Sequence, residues 1–368
     1  MTKPELKGLT GLRGVAAWFV VLYHIRKALG RNIPAGTLAV FAKGYLAVDL
    51  FFILSGFVMW LNYAERLHAD GIAAAPRFLL RRIARIWPLH LVMLGFAAAL
   101  VLALNATGRY PSGFPWHELP LHILLLQNWG FTRALTWNDP AWSISCELAA
   151  YLIFPILCGL VVWERYRTAT LLGAGAALVL ALWAFFASHG AALLGADILH
   201  YGLVRCLLEF ATGTVVCALW KRWRSAAFAT PLALGTAAIA GLAWSAGLAP
   251  ETALVPLAFA SLLLGLALAE AANPLRLAPF HYLGEISYAT YLSHYLLFFA
   301  FKLAVVRDAH AMPLWQGGLF LALTLAASVA LYHGVERPAQ KAINRLGRKT
   351  ASRSPRTTRS PAKAGVQS

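Results

Sequence analysis

Runs of about twenty mostly apolar residues recur along this chain almost from end to end. A backbone held in hydrocarbon must satisfy its own N–H and C=O groups, so such runs have very few folds open to them. Ten can be placed, at 9–29, 43–62, 86–104, 141–163, 168–188, 198–220, 227–247, 252–270, 281–303 and 312–334. They are too long and too evenly apolar to be the alternating ten-residue strands of an outer-membrane barrel, which leaves helices. Composition agrees, since 60% of the 368 residues are hydrophobic and only 13% charged, outside the range of soluble globular domains. The expected fold class is all-α, a polytopic membrane helix bundle of about ten transmembrane helices spanning residues 1–348, with no fused soluble domain. From 349 to 368 the chain turns to Ser, Thr, Pro, Arg and Lys. That composition cannot bury a core and reads as a disordered basic cytoplasmic tail beside anionic lipid.

A formal charge of +17 raises nucleic acid as a partner, but the distribution of the charge argues for no nucleic acid. With the N-terminus placed in the cytoplasm, 22 of the 32 Lys and Arg fall in inner segments and 8 in outer ones, and Arg13 and Arg205 lie within spans. This is the positive-inside pattern of a multi-pass protein with N- and C-termini cytoplasmic, and it fits a bacterial inner (cell) membrane. The first span lacks a small-residue cleavage site and is interrupted by Arg13 and His24, so it reads as a retained helix rather than a removable signal. Cys146, Cys158, Cys206 and Cys217 all fall inside apolar spans without close pairing. They indicate neither a disulfide framework nor a metal site and read as small packing residues.

Ionisable side chains within spans are costly, so each is a functional candidate. They are Arg13 and His24 in the first span, Asp49 in the second, Glu147 in the fourth, Arg205 and Glu209 in the sixth, and Glu285 and His294 in the ninth. His24 lies eleven residues beyond Arg13, about 16 Å further along a helix and on the same face. The same arithmetic puts Asp49 and Glu147 about 9 Å below the outer surface, with Arg205, Glu209 and His294 near them. Structural ion pairing is the plain alternative, above all for Arg205 and Glu209, one turn apart. A membrane histidine is commonly a hydrogen-bonded packing residue, but carboxylates at its depth make His24 a candidate base. The outer segment 105–140, with Pro111, Pro115, Pro120, Trp116, Trp129 and Trp137, is long enough to cap an acceptor site, and Leu121–Trp129 reads as a short interfacial helix.

A second constellation lies at the opposite face, where Arg77, Arg81, Arg82 and Arg85 precede Trp87 and Pro88. Positive-inside signalling explains arginines here in general. Arg82 and Arg85, at i and i+3, also present two guanidinium forks on one helix face, a geometry suited to a polyphosphate such as that of coenzyme A.

These motifs together resemble the membrane acyltransferase family 3 along nearly the whole chain. Leu9-Thr10-Gly11-Leu12-Arg13-Gly14 through His24 is similar to the family's first-span signature. Gly44 to Phe57, with Asp49 and Ser55, resembles its second-span motif, and Arg82-Ile83-Ala84-Arg85-Ile86-Trp87-Pro88 its acyl-CoA arginine pair. Trp142-Ser143-Ile144-Ser145-Cys146-Glu147 and Leu283-Gly284-Glu285-Ile286-Ser287-Tyr288 with Tyr291 and His294 resemble two further signatures, and Arg205–Gly213 and Glu336-Arg337-Pro338 agree more weakly. Ile144 and Cys146 depart from the commoner Leu and Val. The resemblance implies O-acylation, often O-acetylation, of a surface polysaccharide or a lipid-linked saccharide.

The expected enzyme is an integral-membrane O-acyltransferase that moves an acyl group, acetyl foremost, from cytoplasmic acyl-CoA (acetyl-CoA) to a glycan or lipid-linked saccharide hydroxyl, with membrane lipid around it and no permanently bound cofactor. His24 is the expected base, Glu147 or Asp49 the group that orients it, and Arg13, Arg82 and Arg85 the donor-binding residues. Ser55, Trp142, Ser143, Arg205, Glu209 and His294 are expected to line the substrate pocket. A transporter or flippase would use the same buried charges for proton coupling, but it predicts an internal repeat of interrupted helices that the sequence does not display. A non-catalytic partner in polysaccharide export is the third reading.

Overall fold

A computed structural model describes residues 5–308 and 311–353. Among these residues there is no strand. Fifteen helices follow one another: α1 (Lys7–Leu29), α2 (Ala35–Phe41), α3 (Ala47–Met59), α4 (Glu65–Asp70), α5 (Ala75–Ala106), α6 (Leu119–Leu124), α7 (Ala141–Leu160), α8 (Thr168–Ser188), α9 (Ile198–Trp223), α10 (Ala229–Ser245), α11 (Glu251–Leu268), α12 (Ala278–Glu285), α13 (Ser287–Ala304), α14 (Leu314–Leu331) and α15 (Arg337–Arg353). The protein is an all-α polytopic bundle.

Every expected span falls on helix, with differences in continuity. Seven helical stretches among the described residues are long and apolar enough to cross a membrane. One of them, Ala35–Ala106, carries two expected spans, and Ala229–Ser245 is a shorter apolar helix. The ninth expected span is divided at Ile286 into α12 and α13. The tail expected to be unstructured from 349 starts as helix, because α15 runs to Arg353. Residues 354–368 of that tail lie outside the described residues. The interfacial helix expected over Leu121–Trp129 is cut short at Leu124, where Leu125 takes up a left-handed conformation (φ 57°) that ends the helix.

Lipid offers no hydrophobic drive between helices, so close packing has to come from small residues. The α3–α9 contact shows this directly. A Cβ on Gly56 would lie 1.8 Å from the Phe210 carbonyl oxygen, and one on Gly213 would lie 1.9 Å from that of Ile53. Backbone meets backbone here, and this places Asp49 on α3 against Arg205 on α9.

The break at Ile286 is held by a charged residue of α1. Interrupting a helix frees carbonyls at its C-terminal end. The Arg13 guanidinium donates to the Gly284 carbonyl at 2.7 Å through Nη2 and to the Ser287 hydroxyl at 2.9 Å through Nε. Arg13 therefore joins α1 to the α12–α13 junction and still faces the interior.

Candidate active site

Two cavities in the bundle hold most of the candidate residues. The first, of about 150 Å³, is lined by Arg13, Arg82, Arg85, Ser55, Ser143 and Glu147 among others. It is the arginine cavity. The second, of about 300 Å³, is lined by Tyr23, His24, Tyr45, Asp139, Trp142 and Arg205 among others. It is the histidine cavity, lying toward the carboxyl end of α1, whereas the arginine cavity lies toward its amino end.

Neither carboxylate expected to orient His24 does so. Asp49 is fully buried and accepts two hydrogen bonds from Arg205, at 2.6 Å each, while Arg205 Nη1 donates to the Leu194 carbonyl at 2.9 Å. A guanidinium fork matched to a carboxylate is the strongest pairing open to either group, and it uses both carboxylate oxygens. Arg205 thus pairs with Asp49 on another helix, rather than with Glu209 on its own. Glu147 accepts hydrogen bonds from the hydroxyls of Ser55, at 2.5 Å, and Tyr151. It belongs to the arginine cavity.

The group that meets His24 is His294, with Nε2 of His294 3.1 Å from Nδ1 of His24. Backbone carbonyls fix which ring nitrogens carry hydrogen. His294 Nδ1 lies 3.1 Å from the Thr290 carbonyl and His24 Nδ1 lies 3.0 Å from that of Val20. A carbonyl only accepts, so both Nδ1 atoms carry hydrogen. The single His24 Nδ1–H is then shared between the Val20 carbonyl and His294 Nε2, and His24 Nε2 keeps its lone pair. His294 is wholly buried whereas His24 lines the cavity, so the geometry offers one basic nitrogen to an incoming proton donor.

The two arginines expected to bind the donor differ in their surroundings. Arg85 Nη1 donates to the buried Glu336 carboxylate, and its guanidinium lies 5.7 Å from the centre of the Tyr288 ring. Arg82 donates to the Tyr63 hydroxyl at 2.8 Å and lies over the Tyr63 and Tyr151 rings. Arg82 also lines a neighbouring hollow of about 320 Å³ together with Arg77, Arg81, Gln340 and Asn344. The two forks expected to act side by side are therefore split, because Glu336 from the segment before α15 takes one of them.

Ser55 and Ser143 line the arginine cavity, and Trp142 and Arg205 the histidine cavity. Asp49, Glu209 and His294 stand behind the walls, all buried. Among the described residues, no group of three or more His, Cys, Asp or Glu is placed to hold a metal ion.

Three residues escaped the sequence reading. Asp139 lines the histidine cavity, burial pushes its carboxyl up to about 6, and it is hydrogen-bonded by Tyr295, whose ring packs edge-on against His24 at 5.4 Å. It lies in the 105–140 segment before α7, outside the apolar runs, where a charge carries no insertion cost and so gives no signal. Tyr151 and Tyr63 are uncharged aromatics in an aromatic-rich chain, and nothing in their spacing marks them.

Comparison with known proteins gives this geometry a relation. Acyltransferase MdmB of Streptomyces mycarofaciens is 30% identical over an alignment that covers 97% of each chain. Protein 2 in the picA locus of Rhizobium radiobacter is 36% identical over 40% of this chain and 78% of its own length. A putative O-acetyltransferase of Staphylococcus aureus (strain COL) is 22% identical over 60% of this chain and 35% of its own length. No solved structure matches the chain significantly. The acyltransferase-3 family model, described as an acyltransferase domain, matches residues 6–333, and the chain belongs to that family of acyl-transferring enzymes.

Proposed function

We propose that this membrane acyltransferase takes an acyl group, acetyl foremost, from cytoplasmic acyl-CoA and delivers it to a hydroxyl of a cell-surface glycan or lipid-linked saccharide. The observation that carries this reading is the separation of chemistries. Three arginines line one cavity, and a histidine with a free Nε2 lone pair lines the other, about 16 Å further along α1 by helix rise. A donor with a polyphosphate at one end and a thioester at the other spans such a distance with a flexible arm.

In this reading the phosphates rest in the hollow of Arg77, Arg81 and Arg82, beside Gln340 and Asn344, and the pantetheine arm enters past Arg85 and Arg13. The acceptor approaches the histidine cavity from the other side of the membrane, under the 105–140 segment. His24 Nε2 takes the hydroxyl proton as the hydroxyl oxygen attacks the thioester carbonyl carbon. The C–O bond forms, the C–S bond breaks, and the departing thiolate of coenzyme A takes the proton back from the imidazolium. His294 and the Val20 carbonyl together hold His24 Nδ1–H, which keeps Nε2 as the accepting atom, the role often given to a carboxylate. The arginine-rich end then faces the cytoplasm of a bacterial inner membrane, as the charge distribution of the loops favours.

The test is release of free coenzyme A and labelling of surface glycan in membrane vesicles supplied with radiolabelled acetyl-CoA. His24→Gln keeps hydrogen bonding but cannot accept a proton in the useful range, and it should lower transfer by about 10²- to 10⁴-fold at unchanged abundance. Transfer within a few-fold of the parent would remove His24 from the chemistry.

A further inference from the structure

The two cavities have two lining residues in common, Val48 of α3 and Tyr291 of α13. We propose that these two side chains form the partition through which the thioester end of the donor passes, and that the width between them selects straight acyl chains over α-branched ones. The inference rests on the reading above, in which the donor enters from the arginine cavity. Its phosphates and adenosine are too large and too polar to follow, so the acyl group and the end of the pantetheine arm are what reach His24.

Both walls are fixed. Val48 directly precedes Asp49, which Arg205 clamps through two 2.6 Å hydrogen bonds. A valine in a helix keeps almost a single χ1 rotamer, so its methyl groups do not swing out of a passing group's way. On α13, the Tyr291 hydroxyl lies 2.7 Å from the Ser143 hydroxyl and donates to the Pro140 carbonyl at 3.1 Å. The Phe51 ring meets the Tyr291 ring edge-on, with centroids 5.7 Å apart. Behind the wall, His294 lies beside the same ring at 6.1 Å and beside the His24 ring at 4.9 Å. A carbonyl carbon that has just passed Val48 and Tyr291 therefore enters the cavity that His24 lines. An added methyl on the α-carbon widens the group where two stiff walls face each other, and well-packed walls resist even one methylene.

The decisive measurement is the ratio of kcat/KM for isobutyryl-CoA to that for acetyl-CoA, followed by coenzyme A release from the full-length protein in proteoliposomes. Removing two methyl groups in V48A should raise this ratio by about 10-fold or more, the discrimination commonly carried by one or two methylenes. V48I should lower it. A ratio unchanged in both variants, at normal yield of folded protein, would overturn the proposal.

A second measurement is independent of acyl chemistry. V48C should react with an anionic methanethiosulfonate reagent applied from either face of sealed vesicles, against the low background of four buried native thiols. Reaction from one face only, or from neither, would overturn the partition. If the parent protein released no coenzyme A from any acyl-CoA while V48C reacted from both faces, the donor assignment would fail and the partition would stand.

Discussion

The pairing of Asp49 with Arg205 makes a quantitative demand on the bundle. Both side chains are almost wholly buried, at 0% and 1% exposure, and the guanidinium makes three hydrogen bonds, two to the carboxylate and one to Leu194. In D49L the arginine remains as a buried charge without its anion, and in R205M the carboxylate remains without its cation. Breaking a buried pair from one side costs about 3–5 kcal/mol, mostly the penalty of the stranded charge. D49L/R205M removes both charges of the pair and fills the space with apolar side chains of similar size, leaving buried Glu209 beside them, so its cost should fall well below the sum of the two singles. The expected signature is thus two strongly destabilising single changes whose combination is milder than their sum, a coupling of several kcal/mol. The assay is the fraction of protein that stays monodisperse on size-exclusion chromatography after heating in detergent, compared across the four proteins. Single variants as stable as the parent, or a double variant as unstable as the sum of the singles, would show that the pair does not carry the α3–α9 contact.

Three further outcomes follow from the geometry. His294→Ala removes one of the two acceptors of His24 Nδ1–H, leaving the Val20 carbonyl, and should lower kcat several-fold, while His294→Gln restores an acceptor oxygen and should recover part of it with KM for the donor unchanged; equal loss in both would refute a ring-holding role. Gly56→Ala drives a methyl group to 1.8 Å from the Phe210 carbonyl oxygen and should cost about 1–3 kcal/mol or more through a forced backbone shift, read as loss of monodisperse protein on mild heating. Asp139, held up to about 6 by burial, is more readily ionised when unfolded, so stability should fall as pH rises from about 4 to 6 and be level above that; Asp139→Asn should match the parent's melting temperature near pH 4 and exceed it near pH 7, and an equal pH response in both proteins would count against the burial.

Much of this arrangement is legible in the sequence because hydrocarbon makes polarity conspicuous. A charge inside an apolar run has to be explained, and Arg13, His24, Asp49, Glu147, Arg205, Glu209 and His294 are each visible for that reason. Helix rise gives each an expected depth, although Glu147, expected level with His24, lines the arginine cavity with Arg13 instead. What rise cannot supply is azimuth, the direction each helix turns its face once packed. Asp49, Glu147 and His24 lie at similar calculated depth, yet Asp49 faces α9, Glu147 faces Ser55 across the arginine cavity, and His24 faces α13. The partner of each charge is decided by backbone contacts at residues such as Gly56 and Gly213, which read in the sequence only as small residues. The same limit hides Val48 and Tyr291. They carry no charge, and their place between two cavities arises only when α3, α7 and α13 meet. Motif identity makes the contrast sharper, since Tyr291 stands three residues from His294 in the same signature without any local feature to separate its role from packing. A charged residue announces its cost in any membrane helix, whereas an apolar residue acquires a function only from what stands opposite it.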